Sequence, residues 1–305
     1  GRISVDDVDR PDMAEHDMLL RVRACGVCGT DLRILKGEKT KGVRIPSVIG
    51  HEVSGEIAAV GAAVAGFAAG DRVAVAPVVP CRQCDACRKG FASVCENRTA
   101  LGYEYDGGFQ ELLRLPGALV ASGNVVKLPG SLSFAEASLL EPFSCCVHGQ
   151  KKMRIGPSES VLVFGAGPIG LMHLALLKAK GVGPVIVCER NARRLRIAQG
   201  LGADEVADDL SKVASCDHAI CAAGIPDAIP KIVARLRRGG SLLLFAGFPK
   251  DALIHTDLNA VHYRELSLIG TSASTAKDFR EALDLCGSGR IPLSSLISHR
   301  MPLAQ

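Results

Sequence analysis

At 305 residues the chain is longer than one ordinary domain and suits two. Apolar types make up 48% and charged types 22%, a globular composition that excludes a disordered or collagen-like chain. Thirty-six basic against 32 acidic residues leave a formal charge of +4 spread along the chain, so neither nucleic acid nor a membrane surface is expected as a partner. The longest uncharged run, Val161 to Leu177, is too short to span a bilayer and carries three glycines and a proline.

In chain order, Gly1-Arg2-Ile3-Ser4 reads as the middle of a strand rather than a secretory leader. Met301-Pro302-Leu303-Ala304-Gln305 stops as abruptly, so further residues are expected beyond both ends. Met18–Val22, Val53–Val60 and Asp71–Val75 are candidate strands, each closed by Gly or Pro. Many short strands with Gly-rich turns predict a small barrel or sandwich over residues 1–149. The rhythm changes near Pro157. Val161–Phe164 predicts a buried strand with a helix to about Lys180. Val185–Cys188 predicts a second strand, with a helix through Arg190 to Leu201. Strands recur at His218–Cys221, Ser241–Phe245 and Leu266–Ile269, so residues 150–274 predict a doubly wound α/β domain with a parallel sheet. A helix from Asp278 to Leu285 leads residues 275–305 back to the first domain. The stretch from Val206 to Asp217 is short for a crossover between two sheet strands.

Twelve cysteines could mean a disulfide framework or a reduced metalloprotein, and spacing decides between them. Cys81, Cys84, Cys87 and Cys95 fall within fifteen residues while the other eight are scattered, which points to a reduced, cytoplasmic metal-binding protein. Four thiolates close a tetrahedron around one zinc and leave no position for substrate, so this is expected to be a structural site.

Gly165-Ala166-Gly167-Pro168-Ile169-Gly170 follows a predicted strand, opens a helix and precedes Glu189 by about twenty residues. In that context the first glycine permits the turn, the second admits a pyrophosphate, and the third lets helix and strand pack. The phosphates would rest on the helix N-terminus. A third, dispersed set comprises Cys28, His51-Glu52 and Glu141-Pro142. A thiolate, an imidazole and a carboxylate suit a catalytic zinc with an open position. Spacing alone leaves a lone Cys and a lone His equally readable as core residues. Cys25 and Cys28 form a Cys-x-x-Cys, but without the βαβ surroundings of a thioredoxin-like redox pair.

With these motifs in order, the sequence resembles the zinc-dependent medium-chain dehydrogenases. The resemblance rests on Gly26-Val27-Cys28-Gly29-Thr30-Asp31, Gly50-His51-Glu52, the four-cysteine loop, Gly107-Gly108-Phe109, Glu141-Pro142 and the Gly165 fingerprint. It covers nearly the whole chain and is nearest the sorbitol (L-iditol), threonine and cyclitol branch. It implies a GroES-like β-rich catalytic domain and a Rossmann domain, two zinc ions per chain, and NAD. Cys28 and His51 would be catalytic-zinc ligands, Glu52 a direct or switching one, and Glu141 either a ligand or the holder of a zinc-bound water. Thr30 would take the substrate proton. The cofactor would lie on Gly165, Gly167, Pro168, Ile169 and Gly170, with Glu189 on the adenosine ribose and Arg190 and Arg194 within reach of a phosphate. The implied reaction oxidises a secondary alcohol of a polyol, cyclitol or related compound, in a homodimer or homotetramer. The rivals are a threonine-type amino alcohol dehydrogenase and a non-catalytic cofactor-binding relative.

Substrate-recognising positions of sorbitol dehydrogenases depart from that pattern: an expected aromatic is Ile34, and an expected Arg-Tyr pair reads Ala273-Ser274. Arg33 stands where classical alcohol dehydrogenases end a proton relay with histidine. Cys145-Cys146 beside His148 is expected to be packing, and His173 a core histidine. No role follows from spacing for His218, His255, His262 or His299.

Overall fold

The computed structural model describes residues 2–304. The chain divides into two compact units, Gly1–Ser144 with Ala273–Gln305, and Cys145–Ser272. No helix among the described residues is long and apolar enough to cross a membrane.

The strands of the first unit are β1 (Met18–Gly26), β2 (Glu52–Val60), β3 (Arg72–Val75), β4 (Val78–Val79), β5 (Thr99–Ala100), β6 (Leu112–Leu115) and β7 (Val125–Lys127). Five of them form an antiparallel sheet in the order β6-β1-β2-β3-β7, and β4 pairs with β5 in a separate ribbon. Met18, Leu20, Val53, Ile57, Val73, Val75, Leu113 and Leu115 meet in one apolar core. Two register shifts in the β1–β2 pairing increase its local twist. The pairing ends with Gly26 opposite Glu52, which sets the chain leaving β1 beside the chain entering β2. Of the strand expected over residues 1–4, Gly1 lies outside the described residues, and Arg2–Ser4 form no strand: Ile3, Val5 and Val8 are 63–67% exposed, and no strand among the described residues pairs with them.

The second unit holds β8 (Val161–Phe164), β9 (Val185–Cys188), β10 (Glu205–Ala207), β11 (Cys216–Cys221), β12 (Leu236–Leu244) and β13 (Ser267–Gly270). They form a wholly parallel sheet in the order β10-β9-β8-β11-β12-β13, the doubly wound arrangement whose order reverses beside β8. The helices, in chain order, are α1 (Gly29–Leu35), α2 (Asp85–Arg88), α3 (Gly117–Ala121), α4 (Phe134–Ser138), α5 (Leu140–Lys151), α6 (Pro168–Ala179), α7 (Ala192–Gly200), α8 (Ala228–Arg235), α9 (Leu258–Tyr263) and α10 (Ala276–Gly287).

Four features differ from the sequence reading. β10 has only three residues between acidic neighbours, too short and polar for a hydrophobic run to reveal it. The link from β10 to β11 holds a single 3-10 turn, Leu210–Lys212, capped by Asp209, where a helix would be usual. β12 starts at Leu236, which pairs with Cys216 across a bulge before the apolar run begins. Helix α7 begins two residues after Arg190, because Asn191 caps it by accepting from the Arg193 and Arg194 amides.

Candidate active site

β1 delivers Cys28 to the N-cap of α1. Its Sγ accepts from the Thr30 amide at 3.4 Å, and its own amide donates to Asp31 Oδ2 at 2.8 Å. The pairing of β1 with β2 places His51 and Glu52 beside it, and one ligand atom from each of Cys28, His51 and Glu52 lies within 4.8 Å of the others. Sulfur, nitrogen and oxygen at that spacing form a donor set for zinc. Thr30 Oγ1 lies 3.6 Å from Cys28 Sγ. Glu141, in the first turn of α5, is outside that three-residue group, but its charge acts on both His51 and Glu52. Ser144 Oγ donates to the Glu141 carbonyl at 2.6 Å and shares a 2.7 Å hydrogen bond with Ser274 Oγ.

The cluster is buried: His51, Glu52 and Asp31 are each 4–6% exposed. Burial, reinforced by the Glu141 charge, pushes the Glu52 carboxyl above its usual range. Burial alone would lower the His51 imidazole, yet Asp31 and Cys28 hold it above its ordinary value. His51 Nδ1 and Asp31 Oδ1 face each other at 3.6 Å, both buried and neither in hydrogen-bond contact. Repelling buried carboxylates around one imidazole are costly unless a cation neutralises them, so the residues present fit a divalent metal. Asp31 is the residue that sequence reasoning passed over. It faces the imidazole and caps α1 at once, and its signal was the Cys-x-x-Asp spacing of a capping box. Cys25, whose thiol burial pushes up to about 12, is free, as is Cys28.

Cys81, Cys84, Cys87 and Cys95 also bring their sulfurs within 4.8 Å of one another. The Cys81 amide points at Cys95 Sγ at 3.2 Å, and the Cys84 amide at Cys81 Sγ at 3.4 Å. Amides of Gln83 and Cys84 draw the Cys81 thiol below its ordinary range, while burial and the neighbouring thiols push Cys87 upward. Thiols that cannot all ionise together, under amides aimed at sulfur, fit a closed tetrahedral metal site.

In the second unit, β8 runs through Gly165 into α6. Gly165 has φ +96°, a left-handed conformation that an L side chain resists. A Cβ on Gly170 would lie 1.8 Å from the Gly165 carbonyl oxygen, whereas one on Gly167 would meet nothing within 4 Å. The third glycine therefore serves packing, while at the second, at the helix N-terminus with Pro168 and Ile169 in its first turn, no neighbouring atom would meet a side chain. Glu189 follows β9 directly and turns toward this loop: Oε2 accepts from the Ala166 amide at 3.0 Å and Oε1 from the Asn191 amide at 3.0 Å. Burial would raise its carboxyl, but those amides and the Arg194 guanidinium, 3.6 Å away, hold it below the usual range. Arg194 is thus paired with Glu189, and Arg190 is exposed.

The other candidates are structural. His173 is fully buried against Phe245 and beside Gln150, and burial lowers its imidazole to about 3. His218 joins Ser241 at 2.7 Å and Glu159 at 2.9 Å, partners that spacing did not reveal. Cys145 and Cys146 belong to no metal-competent group among the described residues.

An antiparallel β unit holding two metal-competent clusters, together with a dinucleotide-type α/β unit, defines a two-domain metal-dependent dehydrogenase. Residues 14–129 match the alcohol dehydrogenase GroES-like domain, and residues 168–288 match the zinc-binding dehydrogenase domain. The chain is 34% identical to D-altritol 5-dehydrogenase of Agrobacterium fabrum, over all of this chain and 91% of that protein. A protein of Sinorhizobium meliloti 1021 bound to NADP, described as a zinc-binding dehydrogenase, superposes with TM-score 0.92 at 29% identity, over 98% of this chain and 89% of that one. A short chain alcohol dehydrogenase, RspB of Escherichia coli CFT073, in complex with NADH superposes at 0.87 and 29%, over 96% and 87%. The chain belongs to the zinc-binding dehydrogenase family.

Proposed function

We propose that this dehydrogenase transfers a hydride from a secondary alcohol of a polyol, cyclitol or related hydroxyl compound to NAD, with one catalytic and one structural zinc per chain. The observation that carries the reading is the buried Cys28–His51–Glu52 group, with Asp31 and His51 facing each other unbonded at 3.6 Å. When bound, zinc would supply the Lewis acidity that lowers the proton affinity of a substrate hydroxyl, and NAD would accept the hydride. Cys28, His51 and Glu52 hold the metal, and Glu141 sets the charge facing it. Asp31 sets a carboxylate charge beside the imidazole. Thr30 Oγ1, beside Cys28 Sγ, takes up the substrate proton. Glu189 supports NAD over NADP, because its carboxylate faces the fingerprint loop and engages Arg194, one of the two guanidiniums that could pair with a 2′-phosphate.

Residues 1–149 with 275–305 are read as the catalytic domain and 150–274 as the cofactor domain. The free state of all twelve cysteines supports a cytoplasmic setting, where we place a homodimer or homotetramer. The test is NADH appearance with a panel of polyols, cyclitols and amino alcohols, for the parent and Cys28→Ser. Turnover in the parent and its loss in a folded variant support the reading. Equal turnover in both, or none in the parent, refutes it.

A further inference from the structure

The loop after β5 folds back over the metal-competent cluster. Gly102 has φ +77°, and a Cβ there would press on the Gly50 carbonyl oxygen at 3.0 Å, so the loop lies directly against the residue before His51. The ring of the next residue, Tyr103, stands 5.6 Å from the His51 imidazole at a tilt of 40°. Lys39 Nζ in turn sits 4.8 Å from the centre of the Tyr103 ring, within cation–π range. Lys39 is therefore one aromatic ring away from a proposed metal ligand.

The charges around Lys39 are mostly of its own sign. Partial burial lowers its ammonium first; Glu104 opposes this, and Arg98, Arg33 and Lys41 lower it further. Glu104 already accepts from the Ala100 amide at 2.9 Å, and Arg33 has Glu38 at 4.0 Å. The hydrogen bond from Lys39 Nζ to the Lys41 carbonyl engages one of its three donors. An ammonium held against the aromatic ring beside His51, with two donors still open, complements a negative group.

We infer that Lys39, seated on Tyr103, recognises an anionic group of the substrate, a carboxylate or a phosphate, so that the substrate is a polyhydroxy acid or a phosphorylated polyol and not a neutral polyol. This rests on the dehydrogenase reading above and names the substrate class of that same site. A charge-assisted hydrogen bond of this kind changes affinity by about 10- to 100-fold.

The probes are sorbitol, gluconate and sorbitol 6-phosphate; each anion differs from sorbitol at one terminus, gluconate at C1 and the phosphate ester at C6. Their dissociation constants are read by calorimetry on the zinc-loaded protein, and their kcat and KM with NAD, for the parent, Lys39→Met and Lys39→Arg. The parent should bind one anionic probe at least about tenfold more tightly than sorbitol. Lys39→Met should lose most of that advantage, through KM, with sorbitol affinity moving less than about twofold, and Lys39→Arg should restore it. Whichever anion gains identifies the group. Sorbitol binding as tightly as both anions, or Lys39→Met weakening all three alike, overturns the inference. No NAD reduction with any probe overturns the dehydrogenase reading instead, while calorimetry still reports on Lys39.

Discussion

Gly170→Ala and Gly167→Ala, three residues apart in one loop, should fail in opposite ways. A methyl at 170 would lie 1.8 Å from the Gly165 carbonyl oxygen, and ordinary contact begins at 3.4 Å. Restoring contact means moving α6 by about 1.6 Å away from the end of β8. The obstacle is backbone and cannot rotate aside. Nor can the helix drift freely, because Leu171, Met172, Leu174, Leu176 and Leu177 are all buried along it. Overpacking of this kind costs about 1–3 kcal/mol, and the backbone clash puts Gly170→Ala at the upper end. For a unit of this size that is a fall in Tm of roughly 5–15 °C. Gly167→Ala adds a methyl to open space at φ −68°, so its stability should stay within about 1 kcal/mol. Its Kd for NADH should nevertheless rise, since the methyl occupies the approach to the helix N-terminus. Differential scanning fluorimetry and NADH titration of the two variants make the comparison. A stable Gly170→Ala, or a Gly167→Ala that binds NADH as the parent does, would refute the assignment of packing to one glycine and phosphate access to the other.

Asp31→Asn keeps the shape and removes the charge facing His51; it should lower kcat/KM or zinc affinity by about 10–100-fold, read by kinetics and metal content. Cys84→Ala should reduce zinc from two ions to one and lower stability, whereas Cys28→Ala should abolish turnover with the fold retained; circular dichroism and metal analysis would show a reversal. Glu189→Ala should shift the ratio of kcat/KM values from NAD toward NADP by roughly 5- to 150-fold, and an unchanged ratio removes Glu189 from cofactor choice. Asp217 accepts from Ser160 and Arg237, and although burial raises its carboxyl, these partners hold it below the usual range. A carboxyl with a depressed folded pKa contributes stability above its unfolded value near 3.9 and loses it as pH falls through the folded one. Asp217→Asn should therefore melt below the parent at pH 7, by less than about 1 kcal/mol given the exposed arginine, and match it under strongly acid conditions.

The elements that could be read from sequence were those whose local pattern and tertiary role agree. β8, β9 and α6 are continuous apolar runs with glycine punctuation, and they sit where that pattern puts them. The four cysteines were legible because their ligand spacing is local. Cys28, His51 and Glu52 are not local. They meet because β1 and β2 pair with Gly26 opposite Glu52, a register no spacing rule supplies, so only family resemblance brought them together beforehand. β10 and the start of β12 were hidden for the opposite reason: their pairing is real but their side chains carry no apolar run. Tyr103 and Lys39 left no sequence signal, since each acquires meaning only from the ring beneath it.

The central claim, hydride transfer to NAD at a zinc held by Cys28, His51 and Glu52, is tested most directly by metal removal and return. NADH formation from a hydroxyl substrate should be followed in the parent enzyme as isolated, after exhaustive chelation, and after zinc is added back. The account predicts turnover that disappears with the catalytic metal and returns with zinc, and no such return in Cys28→Ala. Turnover that survives chelation undiminished, or a Cys28→Ala enzyme that recovers with zinc as the parent does, would contradict it.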